Sequence, residues 1–536
     1  MASLKQTILA ALATTSSLSS NGHYRSRPDL APPQLNITIP AANPNGPEYV
    51  FIAPYSFGGA LERPGPYIYR KDGDLVWAGT GYYAGFVANF HATTYQGKPV
   101  LQAFQGSIDG DHGEGFGQHV LLDQSYQHVV TSTAANHRVS SIHEFNVIGG
   151  ETALIEVFYT TPANLSAYGG NSSQQWLGNG IFQGLWIAKS DDELADTDYL
   201  TENDIATGEL IFEWNALEHV DPSGKMICHN LTKTISNPKL ESLVTLGSTD
   251  ANSGLSSAQA WDYFHINSLD KNEEGDYLLS SRHTSTIFKI NGTDGSIIWR
   301  LGGKYPSFSQ TGNWTFGFQH HARWHPQLSQ PGTEVISFFD NSGDATIAYN
   351  DVSRALVVQL NHTDSTATVL RKATAPYYLQ AQSQGSTQLL PDDRVFVNWG
   401  SEGAFTEFGV DNEILYHAFI QTGSVSYRGF LSNWTGTPKE SPALVALKAA
   451  SNLVELYVSW NGDTETSAWR FFYVNGKEKT RVGQVDRDSF ETAFTWKSTF
   501  ALSSSARFVA EAVGANGESL AQTSLTATTA NLKLLE

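Results

Sequence analysis

One polar stretch of the chain carries side chains typical of an anion-binding or catalytic site. Residues 263–269 and 277–282 alternate in polarity on either side of a polar turn, which predicts a β-hairpin. Because side chains two apart on a strand share a face, His265 and Asn267 are expected to point the same way, with Arg282 opposite His265. An imidazole, an amide and a guanidinium on one face suit an anion site better than an apolar core.

Further histidines recur on or beside short predicted strands with aromatic neighbours. His143 precedes a predicted hairpin, His219 follows an aromatic strand, and His320 and His321 stand together just before an apolar strand. Each histidine alone is typical of a hydrogen-bonded structural residue. Together with Arg282 they predict a cluster at the centre of the fold.

A recurring local pattern indicates the architecture that must position these residues. Short strands and turns alternate from residue 49 to 437 with little helical patterning, and a tight turn followed by an apolar strand with an aromatic end recurs four times, at 71–77, 207–214, 294–299 and 411–416. This repetition is typical of a β-propeller of four-stranded blades, and the length fits about six. The innermost strands of a propeller carry side chains to a central channel. We therefore predict an all-β fold, a six-bladed β-propeller followed by a small C-terminal β-sandwich.

The segments that flank the predicted propeller have different compositions. Residues 438–536 contain strand patterns at short intervals, which predict a fibronectin- or immunoglobulin-like sandwich that serves as support or as a substrate lid. Residues 21–48 are rich in Pro and Asn and predict an extended lead-in. Residues 1–20 place Lys5 before a short apolar run, as in a signal peptide.

Composition limits the classes of partner. A net charge of −20 argues against nucleic acid. The single cysteine, Cys228, excludes an intrachain disulfide and a cysteine-based metal cluster. No apolar run approaches the ~20 residues of a membrane span. The chain contains eight Asn-X-Ser/Thr sequons, which favour the secretory route over the cytoplasm, whereas the oligomeric state is not predicted.

Several motifs, taken in order and spacing, resemble the PAPS-independent aryl sulfotransferase family and most closely its fungal branch. The motifs lie at residues 142–145, 213–214, 218–220, 261–268, 280–282, 298–303, 318–320, 338–341 and 384–388. The resemblance extends from about residue 49 to the end. It implies a six-bladed propeller with a central site, followed by the C-terminal sandwich.

The resemblance implies a reaction that moves a sulfuryl group from an aryl sulfate to a phenol without a nucleotide donor. His320 matches the nucleophile that carries sulfate as a sulfohistidine, and a neutral imidazole is a good nucleophile near neutral pH. Arg282, with His265 and Asn267, would hold the sulfuryl oxygens. No metal or organic cofactor is implied, and the expected partner is a small aromatic molecule.

The resemblance also implies roles for residues around the nucleophile. His143 would move the phenol proton as general acid and base, and Thr387 would line the same channel. The residue after the nucleophile is usually acidic in this family, and an acid there could orient the imidazole. Here it is His321, so both His320 and His321 are candidates for the reactive group, and His321 is otherwise expected to bind substrate.

Two other functions fit the same sequence. One is an enzyme of the cyclase or isomerase type that acts on an aromatic natural product without a covalent intermediate. The other is a secreted propeller that binds glycans or proteins and uses the sandwich as an interaction module.

Overall fold

Six small antiparallel sheets surround a common axis in the computed structural model, and a further group of strands follows them. The prediction of an all-β, six-bladed propeller is therefore confirmed, and the strands of the predicted C-terminal β-sandwich form a barrel-like group. The structure describes residues 23–56, 58–59, 61–171, 175–187, 209–222, 242–503 and 506–530. The predicted signal peptide and Cys228 lie outside the described residues. Within them, no helix is long and apolar enough to cross a membrane.

The strands are numbered along the chain. The first twelve are β1 (Leu35–Ile39), β2 (Glu48–Tyr55), β3 (Tyr67–Tyr69), β4 (Leu75–Ala78), β5 (Phe86–Tyr95), β6 (Lys98–Asp109), β7 (Glu114–Leu122), β8 (His128–Ser132), β9 (Phe145–Ile148), β10 (Thr152–Ala163), β11 (Gln175–Trp186) and β12 (Leu210–Asn215). The one-turn helix α1 (Ala216–His219) follows. The next ten are β13 (Trp261–Asp262), β14 (Ile266–Lys271), β15 (Tyr277–Ser281), β16 (Thr286–Ile290), β17 (Ile297–Gly302), β18 (Ser309–Gln310), β19 (His320–Trp324), β20 (Thr333–Asp340), β21 (Arg354–Asn361) and β22 (Thr366–Ala373). The propeller ends with β23 (Ser386–Leu389), β24 (Val395–Asn398), β25 (Ala404–Phe408), β26 (Ile414–Ile420) and β27 (Val425–Asn433).

The blades follow one another around the axis in chain order. The ring closes because the first and last parts of the propeller sequence pair in one blade. Blade 1 is β27-β2-β3-β4, blade 2 is β5 to β8, blade 3 is β9 to β12 and blade 4 is β14 to β17. Blade 5 is β19 to β22 and blade 6 is β23 to β26. The last propeller strand, β27, thus supplies the innermost strand of the first blade. Part of the predicted lead-in forms β1, which pairs with the outer edge of blade 6.

The four recurring turn-plus-strand patterns correspond to outermost strands. They are β4, β12, β17 and β26, the fourth strands of blades 1, 3, 4 and 6. The aromatic end of each pattern is buried, at Trp77, Trp214, Trp299 and Tyr416. Strands β8 and β22 of the other two blades lack the pattern, which explains why the repeat is irregular in the sequence.

Apolar side chains fill the wedges between neighbouring blades. One buried hydrophobic cluster lies at each of the six junctions, for example Trp77 with Phe90 between blades 1 and 2 and Leu279 with Phe182 between blades 4 and 3. Because these wedges supply the core, the side chains along the axis are free to be polar.

The C-terminal domain is a barrel-like group of strands beside blades 1 and 2. Its strands are β28 (Ala443–Ala450), β29 (Leu453–Ser459), β30 (Ala468–Asn475), β31 (Glu478–Asp486), β32 (Glu491–Lys497), β33 (Arg507–Val513), β34 (Ser519–Gln522) and β35 (Thr526–Ala530). Asn461 bonds the backbone of Ala78, and Tyr126 donates to the carbonyl of Gly462 at 2.6 Å. These contacts hold the domain against the outer rim of the propeller and not over the channel, so it is not positioned as a lid.

Candidate functional site

Four predicted site residues meet where the innermost strands begin. His143 lies two residues before β9, His265 directly precedes β14 and His320 opens β19. The rings of His143 and His265 lie 4.7 Å apart, and Tyr427 of β27 lies 5.7 Å from the first and 6.5 Å from His320. Arg282 donates its backbone N–H to the carbonyl of His265 at 2.9 Å, as the predicted hairpin requires.

Strained backbone recurs around this site. His265, Phe318 and Gln384 have φ values of 54°, 55° and 68°, and none of them is glycine. A left-handed residue with a large side chain costs free energy and persists only where surrounding contacts enforce it. The strands are therefore bent where they reach the site, and side-chain directions there depart from simple alternation.

The imidazole of His320 is held in a single tautomer. Its Nδ1 lies 2.7 Å from Oδ1 of Asn341 and 3.1 Å from the carbonyl of Phe318, and both are acceptors. The amide of Asn341 cannot be reversed without loss, because its Nδ2 donates to the carbonyls of Ala381 and Gln384. Nδ1 of His320 must therefore carry the proton, which leaves a lone pair on Nε2.

The other nitrogen of His320 faces a backbone donor. The N–H of Gln384 points at Nε2 from 3.2 Å. Burial, and then the charge of Arg282, holds the pKa of His320 well below its usual value. The ring is therefore neutral at physiological pH, with its nucleophilic nitrogen beside an N–H group.

Arg282 directly follows β15, the second strand of the hairpin. One of its terminal nitrogens donates to Nε2 of His283 at 2.8 Å and the other to the carbonyl of Gln382 at 2.9 Å. Its plane lies over Phe318, and its Nε is buried without a hydrogen-bond partner. That N–H is available to an oxygen of a bound ligand.

Asn267 was expected to hold the sulfuryl oxygens together with Arg282 and His265, but in the structure it links two blades. A bulge between Ile266 and Ser268 interrupts the pairing of β14 with β15, and Asn267 is the extra residue. Its amide donates to the carbonyl of Gln319 at 2.6 Å and is fully buried. Asn267 therefore ties blade 4 to blade 5 next to the nucleophile.

Buried carboxylates surround the other two histidines. Nδ1 of His143 lies 3.3 Å from Glu114 and 3.6 Å from Glu156. Nδ1 of His265 lies 2.5 Å from Oδ2 of Asp262 and 3.4 Å from Glu114. All three carboxylates are at most 1% exposed.

The two imidazoles respond to this environment in opposite ways. Burial alone would lower the pKa of His143, but Tyr427 and Glu114 raise it well above its usual value. Burial, and then the neighbouring His143, lowers the pKa of His265 well below its usual value. His143 is thus the proton carrier of the pair and His265 the neutral ring.

His321 and Thr387 lie in a different part of the channel from His320. Nδ1 of His321 donates to the carbonyl of Thr387 at 3.0 Å, and its ring contacts Phe430 at 5.6 Å. Phe430 is three residues beyond Tyr427 on β27, which corresponds to about 10 Å along a strand. His321 has a left-handed φ of 55° beside a bulge in β19, which helps to turn the two neighbouring histidines apart.

An ion cluster separates the two parts of the channel. Glu144 accepts hydrogen bonds from Arg428 at 3.0 Å and Arg323 at 2.8 Å. Arg428 also donates to the carbonyls of His143 and Asn267. Burial alone would raise the pKa of Glu144, but the two guanidinium groups hold it at about 2. We call the region of His320, His143, His265 and Arg282 the His320 half, and the region beyond this cluster the His321 half.

The His321 half contains a cavity of about 230 Å³. It is lined by His91, Ala92, Phe145, Asn146, His321, Arg323, His325, Thr387, Gln388, Leu389, Phe430 and Ser432. Burial, and then Arg323 and Arg428, lowers the pKa of His321 well below its usual value. The predicted substrate contacts His321 and Thr387 therefore belong to a second, acid-free environment.

Sequence reasoning missed several residues of the site. Glu114 stands in a glycine-rich turn, Glu156 in an otherwise apolar strand and Tyr427 in the strand that closes the propeller. Asn341 falls in a motif noted above but had no role there. The candidate His219 stacks on Trp214 at 4.9 Å, at the outer side of blade 3 and away from the channel.

Comparisons with known proteins identify one family that matches this chain. The family described as arylsulfotransferase (ASST) matches residues 91–421, more than half of the chain. No curated protein matches the chain. A protein of unknown function from Bacteroides caccae aligns with a TM-score of 0.36 and 10% identity over 72% of this chain and 99% of its own. The glycoside hydrolase domain of Endo-D from Streptococcus pneumoniae R6 aligns with a TM-score of 0.13 and 14% identity over 35% of this chain and 33% of its own.

Proposed function

This chain belongs to the arylsulfotransferase (ASST) family, and we propose that it transfers a sulfuryl group from an aryl sulfate to a phenolic acceptor through a sulfohistidine at His320. The observation that supports His320 most strongly is its tautomer: Asn341 fixes the proton on Nδ1, so Nε2 is the unprotonated nitrogen. Its lone pair accepts from the N–H of Gln384 and attacks sulfur once the bound donor displaces that hydrogen bond. Asn341 thereby takes the orienting role that an acid in place of His321 would have had. Membership of the fungal branch stays a prediction.

The first step forms a bond between Nε2 of His320 and sulfur as the bond from sulfur to the phenolic oxygen breaks. Negative charge develops on the sulfuryl oxygens and on the leaving oxygen. The free Nε–H of Arg282 and the N–H of Gln384 are donors beside the nucleophile, and preorganised donors of this kind stabilise such charge. His143, which holds a proton at neutral pH, protonates the leaving phenolate.

The second step reverses the first with another phenol. His143, now neutral, takes the proton of the acceptor as its oxygen attacks sulfur, and His320 leaves as a neutral imidazole. Because one product departs before the acceptor reacts, the kinetics are of the ping-pong type.

The test is turnover of p-nitrophenyl sulfate with a phenol as acceptor. His320→Asn is expected to lower kcat by at least about 1,000-fold, as loss of a nucleophile does. His321→Asn is the matched control, because it changes the adjacent imidazole in the other half of the channel, and is expected to retain most of the activity. Equal losses in both variants, or turnover that survives in His320→Asn, would refute the assignment.

One observation favours the cyclase or isomerase alternative. The carboxyl groups of Glu114, Glu156 and Asp262 lie where an anionic sulfate donor would bind. Burial and Glu114 raise the pKa of Glu156 to about 8, which suits proton transfer to and from a neutral aromatic substrate. Under that alternative, wild-type protein releases no nitrophenol and takes up no sulfate.

A further inference from the structure

The carboxylates of the His320 half have no strong cationic partner. Among the ion pairs of the described residues, Glu114, Glu156 and Asp262 face only imidazole nitrogens. Glu144, a short distance along the channel, faces two guanidinium groups. Buried carboxylates are normally neutralised by a cation or a metal ion, but Arg282, the guanidinium group of this half, donates to His283 and to the carbonyl of Gln382 instead.

Several carboxylate oxygens there are unsatisfied. Oε1 of Glu114, Oδ1 of Asp262 and both oxygens of Glu156 are buried without a hydrogen-bond partner. The residues that carry them are at most 1% exposed. Unpaired buried oxygens are costly and require an explanation. A bound cation would supply the missing partner.

The donor atoms already have the spacing of a metal site. Glu114, His143 and His265 each offer a ligand atom, and these atoms lie within 4.8 Å of one another. Oε2 of Glu114 lies 3.3 Å from Nδ1 of His143, and Oε1 of the same carboxylate lies 3.4 Å from Nδ1 of His265. Donors bonded to a tetrahedral ion at about 2.0–2.1 Å lie about 3.3–3.4 Å apart.

We infer that Glu114, His143 and His265 bind a divalent transition-metal ion at the axis of the propeller. Two imidazoles and a carboxylate form a donor set that suits Zn²⁺ and neighbouring first-row ions. Binding displaces the proton that Nδ1 of His265 shares with Asp262. This departs from the expectation that the site holds no metal.

A second cluster next to it does not qualify. His283 also lies near Asp262 and His265, but its Nδ1 donates to the carbonyl of Asp262 at 2.6 Å and its Nε2 accepts from Arg282. Both of its nitrogens are therefore occupied. His283 acts as a positioning residue for Arg282 and not as a ligand.

The ion and the proposed reaction use His143 in different states. A metal ion on His143 would displace the proton that this imidazole holds in the proposed reaction, so the steps given above belong to the metal-free protein. When bound, the ion would offset the carboxylate charge that opposes an anionic donor. Metal binding itself is measured without any donor, so its outcome is independent of sulfuryl transfer.

The experiment uses full-length protein without an affinity tag, stripped of metal with EDTA. Titration with Zn²⁺ by calorimetry and with Co²⁺ by visible absorption is expected to show one saturable site per chain. Glu114→Gln and His265→Asn are each expected to weaken binding by at least about 100-fold, since even changes outside the ligand shell cost 10–100-fold. His119→Gln, which changes a buried imidazole stacked on Phe145, and the exposed Glu151→Gln are the controls and are expected to bind like wild type.

Circular dichroism and thermal unfolding establish that each variant is folded. Saturable binding that only the ligand variants lose supports the site, whether or not His320 takes up sulfate. The absence of saturable binding to wild-type protein overturns it, as does equal affinity in Glu114→Gln and His119→Gln. A failed sulfotransfer assay with intact metal binding would refute only the proposed reaction.

Discussion

Both halves of the channel are rich in imidazoles, but their fixed charges differ. In the His320 half, His143 and His265 face three carboxylates, and the pKa of His143 is raised. In the His321 half, the described lining residues include no carboxylate, and burial beside Arg323 lowers the pKa of His325 to about 4. The carboxylates of the His320 half thus allow one imidazole, His143, to carry a proton, whereas burial keeps His265 and His320 in the same half neutral, as it does His325 in the other.

The ion cluster between the halves is what allows this contrast. Arg428 and Arg323 neutralise Glu144 and face the His321 half with positive charge. Arg428 also bonds the backbone of blades 3 and 4 from the strand that closes the ring. Closure of the propeller and separation of the halves thus depend on one guanidinium group.

The variant Arg428→Ala removes one guanidinium group of the ion cluster between the two halves. We expect it to have the largest effect on the free energy of unfolding. It leaves the buried Glu144 with one cation fewer and removes two bonds to backbone carbonyls, so we expect a loss of about 3–5 kcal/mol in the free energy of unfolding. Urea unfolding monitored by fluorescence measures it. The control Arg470→Ala removes a partly exposed pair with Glu511 and should cost about 1 kcal/mol or less. Similar losses in the two variants would show that the cluster does not hold the halves together.

The variant His325→Gln tests the environment of the His321 half through the pH dependence of stability. The folded pKa of His325 lies near 4, below the usual value of 6.5, so its stabilising contribution is complete above pH 6.5 and is lost as the pH falls toward 4. Glutamine can still bond Ser337 but cannot take up a proton. We expect the stability difference between wild type and variant to change by about 3 kcal/mol between neutral pH and pH 4. A constant difference in urea titrations across that range would contradict the assigned environment.

Glu156→Gln should have the smallest effect, and it tests the other half. Burial and the neighbouring Glu114 raise the pKa of Glu156 to about 8, so metal-free protein must protonate this carboxyl group to fold at neutral pH, whereas glutamine is already neutral and can donate to Glu114. We expect the variant to be more stable than wild type by about 1 kcal/mol, measured by urea unfolding in EDTA. Destabilisation by a similar amount would mean that the carboxylate has a partner in the folded protein.

Much of the architecture follows from local patterns in the sequence. The turn-plus-strand pattern marks the outer strand of four blades because a tight turn and a buried aromatic residue are needed there. Most strands of the C-terminal domain were also predicted, but β31, whose side chains are mostly exposed, was not, and β34 and β35 were expected as one strand. Closure through β27 was not predicted, because it pairs residues about as far apart in the chain as Glu48 and Asn433.

The site was predicted only in part, for reasons that residues near it illustrate. Histidines on innermost strands were found from their polar context, whereas no pattern singled out Glu114, which stands between two glycines. His320 and His321 were treated as alternatives, although neighbouring side chains on a strand point to opposite faces. Asn267 was expected to face substrate, but a bulge that no local pattern announces directs it to Gln319.

The central claim is that His320, and not its neighbour, carries the sulfuryl group. The most direct test is to mix the protein with an aryl sulfate in the absence of acceptor and to quench the reaction. Peptide mass spectrometry under conditions that preserve sulfur–nitrogen bonds then locates the adduct. We expect one sulfuryl group on His320 and none on His321, with no adduct in His320→Asn. An adduct on His321, or donor cleavage with no adduct on either histidine, would contradict it.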